Sequence, residues 1–489
     1  MQKILIVDDE SKIRRLYRSL LTAEGFEVFE AEKSQRANEI LNKEEVDLIL
    51  LDLALPDFNG DQLHKKIKKK SGKPKVIVAS VYSVDKQRIR IPDADGYFDK
   101  SEGTDVLLSR IESVFRSSGS KAKALHTIPL FWPFISDKVV DAISEVLKTR
   151  WVGEGPLVRR VEETFQSMFK IPHAVAVNSC TSALHLAYIL AGVHEGDEVI
   201  TTPLTCYATV TPVLYQKAKP VFADIIPGTL NIDPISIHKK ITNKTKAIVV
   251  VHWGGDPCNM DEIGAIARER GIPIIEDAAH ALGATYHERP IGGLSDFTCF
   301  SFQAIKHITT ADGGMLATLS KERAEKAGKL RWYGIDRNFH GDLYEKFKIE
   351  ELGYKYHMND LTAAMLLAQL EDLQKVLNRR KQIVDRYRDA LKEIDGIELL
   401  WKQNDRESAN WLFNVLVDRR DDFQKKLASK GIETSLVHVR LDVYPILGGN
   451  RQNLPGMDQV EPRYLALPLH NHLTDEDVEF VIQTIREGW

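Results

Sequence analysis

Four short apolar runs near the start of the chain each stop at residues suited to handling a phosphoryl group. Lys3–Val7 stops at Asp8 and Asp9, Val46–Leu51 at Asp52, Lys75–Ala79 at Ser80, and the weaker run Tyr97–Phe98 near Lys100. Helical patterns such as Ser11–Ala23 separate them, and strands alternating with helices predict a parallel α/β sheet. Ligands collect at the carboxyl ends of such strands, so these terminal residues are expected in one pocket. Three carboxylates there repel one another unless a cation lies between them, and hard oxygen ligands suit Mg²⁺. Ser80 and Lys100 add a hydroxyl and an ammonium for phosphoryl oxygens. Metal, nucleophilic carboxylate and lysine together make an aspartyl-phosphate site. Solvated loop acids explain any one of these residues, but not five at successive strand ends.

This segment resembles the receiver domain of bacterial response regulators over residues 3 to about 115. The resemblance rests on VDDE at 7–10, LLDLALPDFNG at 50–60, VIVAS at 76–80 and GYFDK at 96–100. It implies a flavodoxin-like fold with Asp52 as phosphoacceptor and Asp8, Asp9 and Asp52 around Mg²⁺. It further implies Ser80 and Lys100 as phosphoryl contacts, Tyr97 as an aromatic switch that follows the hydroxyl inward, and a histidine kinase as partner. The chain departs from the family at Ser101, where proline is usual, and Ser83 shares the local sequence of Ser80.

Residues 116–127 (RSSGSKAKALHT) are small, polar and basic without periodicity, the composition of a flexible linker. They divide a first unit, 1–115, from a much longer remainder. A chain of 489 residues has room for roughly three domain-sized units. With 43% hydrophobic and 28% charged residues it is neither disordered nor a disulfide scaffold. A net charge of −4, evenly spread, offers no basic surface for nucleic acid. Cys180, Cys206, Cys258 and Cys299 lack metal or redox spacing and are expected to be free thiols. No apolar run is long enough to span a membrane, and Asp8 and Asp9 come too early for a signal peptide. A cytoplasmic protein is expected.

The remainder is a larger α/β body followed by a smaller α+β tail. Helices are expected at Ser136–Thr149, Leu157–Phe169 and Thr181–Ala191, and one long helix from Asn359 to about Ile394. Three constellations carry chemistry. Asn178–Leu184 (NSCTSAL) runs from a strand end into a helix, where free N–H groups with Thr181 and Ser182 form a phosphate cradle. Hydroxyls there are also ordinary caps. Ile274–Gly283 (IIEDAAHALG) delivers Glu276 and Asp277 to a strand end, where a carboxylate can pair with a protonated heteroaromatic nitrogen. In Phe297–Gly314 a strand leads to Ser301 and to Lys306, which has uncharged neighbours, and then to a glycine pair. Such a lysine can lose its proton and act as a nucleophile. Cradle, acid and lysine together match what pyridoxal phosphate needs.

Residues 128–489 resemble the DegT/StrS-type sugar aminotransferases, fold-type I pyridoxal-phosphate enzymes acting on nucleotide-linked keto sugars. The motifs are NSCTSALHLA, EDAAHALGA, SFQAIKHITTADGG, GYKYHMNDLTAA at 353–364 and ALPLHNHLTDEDV at 466–478. The resemblance implies a cofactor-binding large domain, 128–370, and a small C-terminal domain, 371–489. By that likeness Lys306 binds the cofactor covalently, Asp277 pairs with its ring nitrogen, and Thr181, Ser182 and Ser301 hold its phosphate. Tyr207 falls where an aromatic ring stacks on the cofactor, and His280 where Gln or His lies beside it. Lys355 stands where many relatives have an Asn that reaches the partner subunit's phosphate, so a homodimer is implied. Asp312–Gly313–Gly314 is a mild departure from GGE or EGG. Glutamate is the implied donor, with Arg331 and Arg337 as weak candidates for its carboxylate.

Two other functions compete. A dehydratase branch of the family replaces the lysine by histidine; here position 306 is lysine and His307 its neighbour, which favours transamination. A two-component regulator with a non-catalytic aminotransferase-like body is the other, though no helix-turn-helix signature or basic patch supports a DNA-binding output.

Overall fold

The computed structural model describes residues 2–53, 55–56, 60–68, 74–82, 84–100, 103–116, 127–337, 339, 341–346 and 348–489. Most of the expected linker (117–126), Ser83 and Ser101 lie outside the described residues. The chain forms two compact units, Met1–Ala124 and Leu125–Trp489.

The first unit alternates β1 (Lys3–Val7), α1 (Ser11–Ala23), β2 (Glu27–Ala31), α2 (Ser34–Leu41), β3 (Leu48–Leu51), α3 (Gly60–Ile67), β4 (Lys75–Ser80), α4 (Val84–Arg90), β5 (Gly96–Asp99) and α5 (Thr104–Arg116). All strands are parallel, in the order β2-β1-β3-β4-β5. Strands buried on both faces read as continuous apolar runs, and Leu48–Leu51 is buried throughout. Alternate residues feed two cores: Leu5 and Ile49 pack on one face, Ile4 and Leu48 on the other. Strand β2 (EVFEA) has no apolar run and is half-buried at the sheet edge, so hydropathy does not reveal it.

The second unit begins with α6 (Val139–Thr149), α7 (Pro156–Phe169), β6 (His173–Val177), α8 (Cys180–Leu190), β7 (Glu198–Thr201), α9 (Thr211–Tyr215), β8 (Lys219–Phe222), α10 (Pro234–Lys240), β9 (Thr245–Val251), α11 (Met260–Arg270) and β10 (Ile274–Asp277). It continues with β11 (Thr285–Tyr286), β12 (Arg289–Pro290), β13 (Phe297–Ser301), β14 (Gly314–Thr318), α12 (Lys321–Leu330), α13 (Leu343–Lys346), α14 (Asp360–Leu370) and α15 (Leu373–Leu391). It ends with β15 (Ile397–Leu399), β16 (Arg406–Glu407), β17 (Phe413–Val417), α16 (Arg420–Ser429), α17 (Pro455–Val460), β18 (Tyr464–Leu467) and α18 (Asp475–Arg486).

Its main sheet has the order β6-β14-β13-β10-β9-β7-β8, and β14 alone runs against its neighbours. Two cores cover its faces, one built on Phe165, Ile248 and Phe300, the other on Leu184, Val249 and Phe297. A small antiparallel sheet, β15-β17-β18, packs with residues of α15, α16 and α18 around Tyr387, Val415 and Val481. The capping box at the start of α18 forms, with Thr474 Oγ1 accepting from Asp477 N–H and Thr474 N–H donating to Asp477.

The single helix expected from Asn359 to Ile394 is two helices, broken at Glu371–Asp372. Tertiary bonds lie on both sides of the break: Gln369 accepts from Ser136 N–H and donates to Phe134 O and Thr309 O, and Asp372 accepts from Ser136 Oγ. Ser136 itself precedes α6, which starts at Val139. Among the described residues, no helix is long and apolar enough to cross a membrane.

Candidate active site

In the first unit, the strand ends bring together the groups expected there. Lys100 Nζ lies 2.7 Å from Asp8 Oδ2 and 2.6 Å from Asp52 Oδ2, and both carboxylates are buried. Asp8, Asp9 and Asp52 each offer an oxygen within 4.8 Å of the others, with Asp9 at the exposed rim. Burial pushes the Asp8 carboxyl above its ordinary pKa, against the pull of Lys100. Burial lowers the Lys100 ammonium, but bonds to Asp52 and Asp8 outweigh it and hold the pKa above the usual lysine value. The Ser80 hydroxyl is buried at the end of β4 with no protein partner among the described residues.

Tyr97 is half-buried, its hydroxyl donating to Ile91 O at 2.6 Å and its ring against Arg88. Sequence reasoning missed Gln87. This buried amide of α4 donates to Tyr82 O, Phe98 O and Ser80 O, tying the helix to the ends of β4 and β5. A lone Gln in a polar helix carries no sequence signal of that kind.

In the second unit, Asp277 ends β10 and Ser301 ends β13, its parallel neighbour. Asp277 Oδ2 accepts from Thr209 Oγ1 at 2.7 Å and Oδ1 from the Ala279 N–H at 3.1 Å. Burial raises the Asp277 pKa, opposed by these two bonds and by the charge of Lys306. Alternation along the strand separates its two acids. Glu276 bonds His252 Nε2 at 2.8 Å and Thr298 Oγ1 at 3.0 Å, all three fully buried. Asp277 is therefore the acid of the lysine site, and Glu276 belongs to a separate buried network.

Lys306 lies between β13 and β14, partly accessible to solvent. Desolvation by the surrounding protein brings its pKa down to about 8, against the charge of Asp277. His280 stacks on Trp411 with ring centroids 3.7 Å apart, and burial together with Lys306 holds it far below the ordinary histidine pKa. Its Nδ1 is buried without a protein partner among the described residues.

Helix α8 starts from Ser179, whose Oγ accepts from the Ser182 N–H, while Ser182 Oγ donates to Asn178 Oδ1. Among the described residues, the N–H groups of Cys180 and Thr181 donate to no protein acceptor. Gly314 runs directly beneath: a Cβ there would lie 2.4 Å from the Ser179 carbonyl carbon, and one at Gly313 would lie 2.4 Å from Thr310 Oγ1. Ser301 pairs with Gly314 across the sheet, and its hydroxyl accepts from the Gln303 N–H at 3.3 Å. The Cys180 and Thr181 N–H groups at a helix start floored by glycine fit a phosphate, and the buried acid and partly desolvated lysine fit the ring and aldehyde of pyridoxal phosphate.

The remaining expected residues make the following contacts. Tyr207 packs against Tyr444, while Cys206, its neighbour, is near enough to Lys306 to act on its charge. Lys355 is exposed, its ammonium 3.6 Å from the centre of the Trp332 ring. Arg331 is committed to Glu154, Glu162 and Ala176 O, and Arg337 to Glu154, so neither is a free cation for a donor carboxylate. His307 is buried and bonds Ala409 O, so it does not stand in for the lysine. Thr209 and Trp411 were missed because each lies far in sequence from the motif it serves.

The match is decided by family models: residues 133–486 fit the DegT/DnrJ/EryC1/StrS aminotransferase family, and residues 4–112 fit the response regulator receiver domain. The chain belongs to the DegT/DnrJ/EryC1/StrS aminotransferase family. It is thus a pyridoxal-phosphate-dependent aminotransferase of fold type I with a receiver domain in front. Among its relatives, the spore coat polysaccharide biosynthesis protein SpsC of Bacillus subtilis is 37% identical over 382 residues, 75% of this chain and 98% of that protein. The sugar aminotransferase CalS13 of Micromonospora echinospora superposes with a TM-score of 0.71 at 34% identity, covering 74% of this chain and all (100%) of that one. Spr1654 of Streptococcus pneumoniae, solved in its pyridoxal-phosphate form, has a TM-score of 0.69 at 30% identity, over 74% of this chain and 98% of its own.

Proposed function

We propose that the chain transfers an amino group from glutamate to a nucleotide-linked keto-deoxy sugar, in the making of a surface polysaccharide or amino sugar. The carrying observation is that Lys306, with a pKa near 8, and the buried, hydrogen-bonded Asp277 act on each other's charge. The name of SpsC and the sugar aminotransferase CalS13 support a sugar as acceptor.

Pyridoxal phosphate, when bound, supplies an aldehyde that takes up the amine and a protonated ring that draws electrons from the reacting carbon. Asp277 would hold the proton on the ring nitrogen, and Thr209 would keep that carboxylate ionised and aimed. Thr181, Ser182, Ser301 and the open N-terminus of α8 would bind the phosphate. His280, kept neutral by burial, would lie beside the ring. Lys306 Nζ would bond the cofactor at rest, then take and return the proton at the carbon bearing the amine. A pKa near operating pH suits both halves of that task.

In the receiver, Asp52 would accept the phosphoryl group from a histidine kinase, with Asp8, Asp9 and Asp52 around Mg²⁺, and Lys100 and Ser80 on the phosphoryl oxygens. Phosphorylation would alter activity or assembly, because receivers shift a two-state equilibrium. Tyr97 would swing in with Ser80, leaving Ile91. A homodimer is supported by exposed Val140, Leu147, Trp151 and Val152 around α6, and Lys355 would then reach the partner's cofactor phosphate. Free cysteines suit a reducing cytoplasm.

The test is the full-length protein with glutamate and a panel of nucleotide-linked keto sugars. Formation of 2-oxoglutarate in step with an aminated sugar is expected, and is lost in Lys306→Ala. A wild-type protein that takes up no pyridoxal phosphate, or gives no product with any sugar, overturns the reading. Acetyl phosphate should label Asp52 and change rate or assembly. Unchanged behaviour, matched by Asp52→Ala, overturns the regulatory part.

A further inference from the structure

Trp411 lies in the C-terminal part of the second unit, two residues before β17, yet its indole meets the cofactor lysine. Lys306 Nζ is 3.8 Å from the centre of the Trp411 ring, and the His280 ring stacks on the indole at 3.7 Å and 15°. The indole N–H donates to Ile305 O at 3.0 Å, the carbonyl immediately before Lys306. Phe131 stacks on Trp411 at 5.5 Å. Only 1% of the residue is exposed.

The backbone of this residue is held as firmly as the ring. Trp411 N–H and Leu412 N–H both donate to Gly254 O, and Ala409 N–H donates to Gly255 O. That approach needs glycine: Gly255 has φ 100°, and a Cβ there would stand 2.9 Å from Asn410 N and 2.8 Å from His280 O. On the other side, Arg380 of α15 donates to Trp411 O, Asn410 O and Leu469 O. Arg380 is fully buried and, among the described residues, has no acidic partner, so its charge is satisfied by carbonyl and amide oxygens alone. Burying an unpaired guanidinium is costly, and here its donors converge on the loop that presents Trp411.

We propose that Trp411 is a positioning residue for the reaction: its indole face steadies the Lys306 ammonium and its N–H fixes the Ile305–Lys306 backbone, so that it sets the proton affinity and direction of the lysine. The proposal rests on Lys306 as the cofactor lysine. An aromatic face favours a cation, so Trp411 opposes the desolvation that draws Lys306 down. The other titratable groups around the ammonium are Asp277 on β10, Cys180 on α8, Cys206 in the loop before α9, the buried His280 and His307, and the half-buried His438. Asp277 and the two cysteines raise the lysine's affinity for its proton, and the histidines are held neutral by burial. Trp411 is the aromatic face that contacts the ammonium among the described residues.

The test is the pH dependence of pyridoxal phosphate uptake by cofactor-free full-length protein, followed by absorbance in stopped flow, because the neutral amine is the reacting form. Wild type should show a midpoint near 8. Trp411→Leu should lower it by about one pH unit and so speed uptake at pH 7 by roughly fivefold. Trp411→Phe should fall between the two. A midpoint that does not move in Trp411→Leu, with a cooperative melt intact, overturns the proposal. Should that variant fail to fold, fluorinated tryptophan serves, since it withdraws ring electron density with little change of shape. A lower midpoint is then expected, and an unchanged one overturns the proposal. Wild-type protein that takes up no cofactor overturns this proposal together with the proposed function, whereas normal wild-type uptake with an unmoved midpoint overturns this one alone.

Discussion

Glu276 and Asp277 are sequence neighbours whose side chains lie in two different worlds. Asp277 takes the Thr209 hydroxyl at 2.7 Å on the lysine side of the sheet, and Glu276 takes His252 Nε2 at 2.8 Å on the other. Asp277 therefore acts on the charge of Lys306, and Glu276 ties β10 to β13 and to the residue after β9.

Replacing Asp277 by Ala should leave the fold intact and cut turnover by about 100-fold or more, the usual scale for losing a group that manages a proton. Thr209→Val should cost less, about 10-fold, the worth of one hydrogen bond to a charged group. That bond lowers the Asp277 pKa. Its loss must raise it, so the acid limb of the turnover profile should move to higher pH in Thr209→Val. An unmoved limb would mean that Thr209 only packs.

Glu276→Ala leaves His252 buried without its acceptor. The ring accepts the Cys258 N–H at Nδ1 and is neutral, so leaving its buried Nε2–H unsatisfied costs about 1–3 kcal/mol, and the melting temperature of the second unit should fall by a few degrees. The fall in turnover should follow the loss of folded protein. Differential scanning calorimetry on the full chain separates this from Asp277→Ala, which should melt near wild type.

Gly314→Ala places a methyl group 2.4 Å from the Ser179 carbonyl carbon. That atom is backbone at the start of α8, so it must shift, and the expected result is pyridoxal phosphate affinity weakened by about 10-fold or more. Equilibrium titration of cofactor absorbance measures it. Gly328→Ala, where a Cβ would meet nothing within 4 Å, is the control and should bind normally.

Burial raises the Asp8 pKa, so the folded receiver holds that proton more tightly than the unfolded chain. Its stability contribution is accordingly present at low pH and lost as pH rises from the ordinary value of 3.8 through the folded pKa. At neutral pH, Asp8→Asn should raise the melting temperature of the first unit, and millimolar Mg²⁺ should raise it in wild type by mass action. The variant should lose the Mg²⁺ effect. Equal responses in both proteins would exclude Asp8 as a ligand.

Much of this was legible in the chain itself. Parallel strands buried on both faces must be continuous apolar runs, and chemistry collects at their carboxyl ends, so Asp8, Asp52, Asp277, Ser301 and Lys306 stand out as residues. The approach of Gly314 to Ser179 was not legible, since it joins segments far apart in the chain. Strand Glu27–Ala31 was hidden because an edge strand need not be apolar, and the break after Leu370 because it depends on Gln369 and Asp372 meeting Ser136 from more than 200 residues away.

By itself, then, the sequence determined the two folds, the order of the parts and the groups able to do chemistry, since periodicity and strand-end placement are local properties. Only the tertiary structure decided that Glu276 turns to His252, that Thr209 steadies Asp277, that Arg331 and Arg337 are already committed, and that Trp411 closes on Lys306. Those are contacts between distant segments, and the physical reason they escape a linear reading is that burial, ring stacking and shared protons depend on distances that sequence separation does not encode.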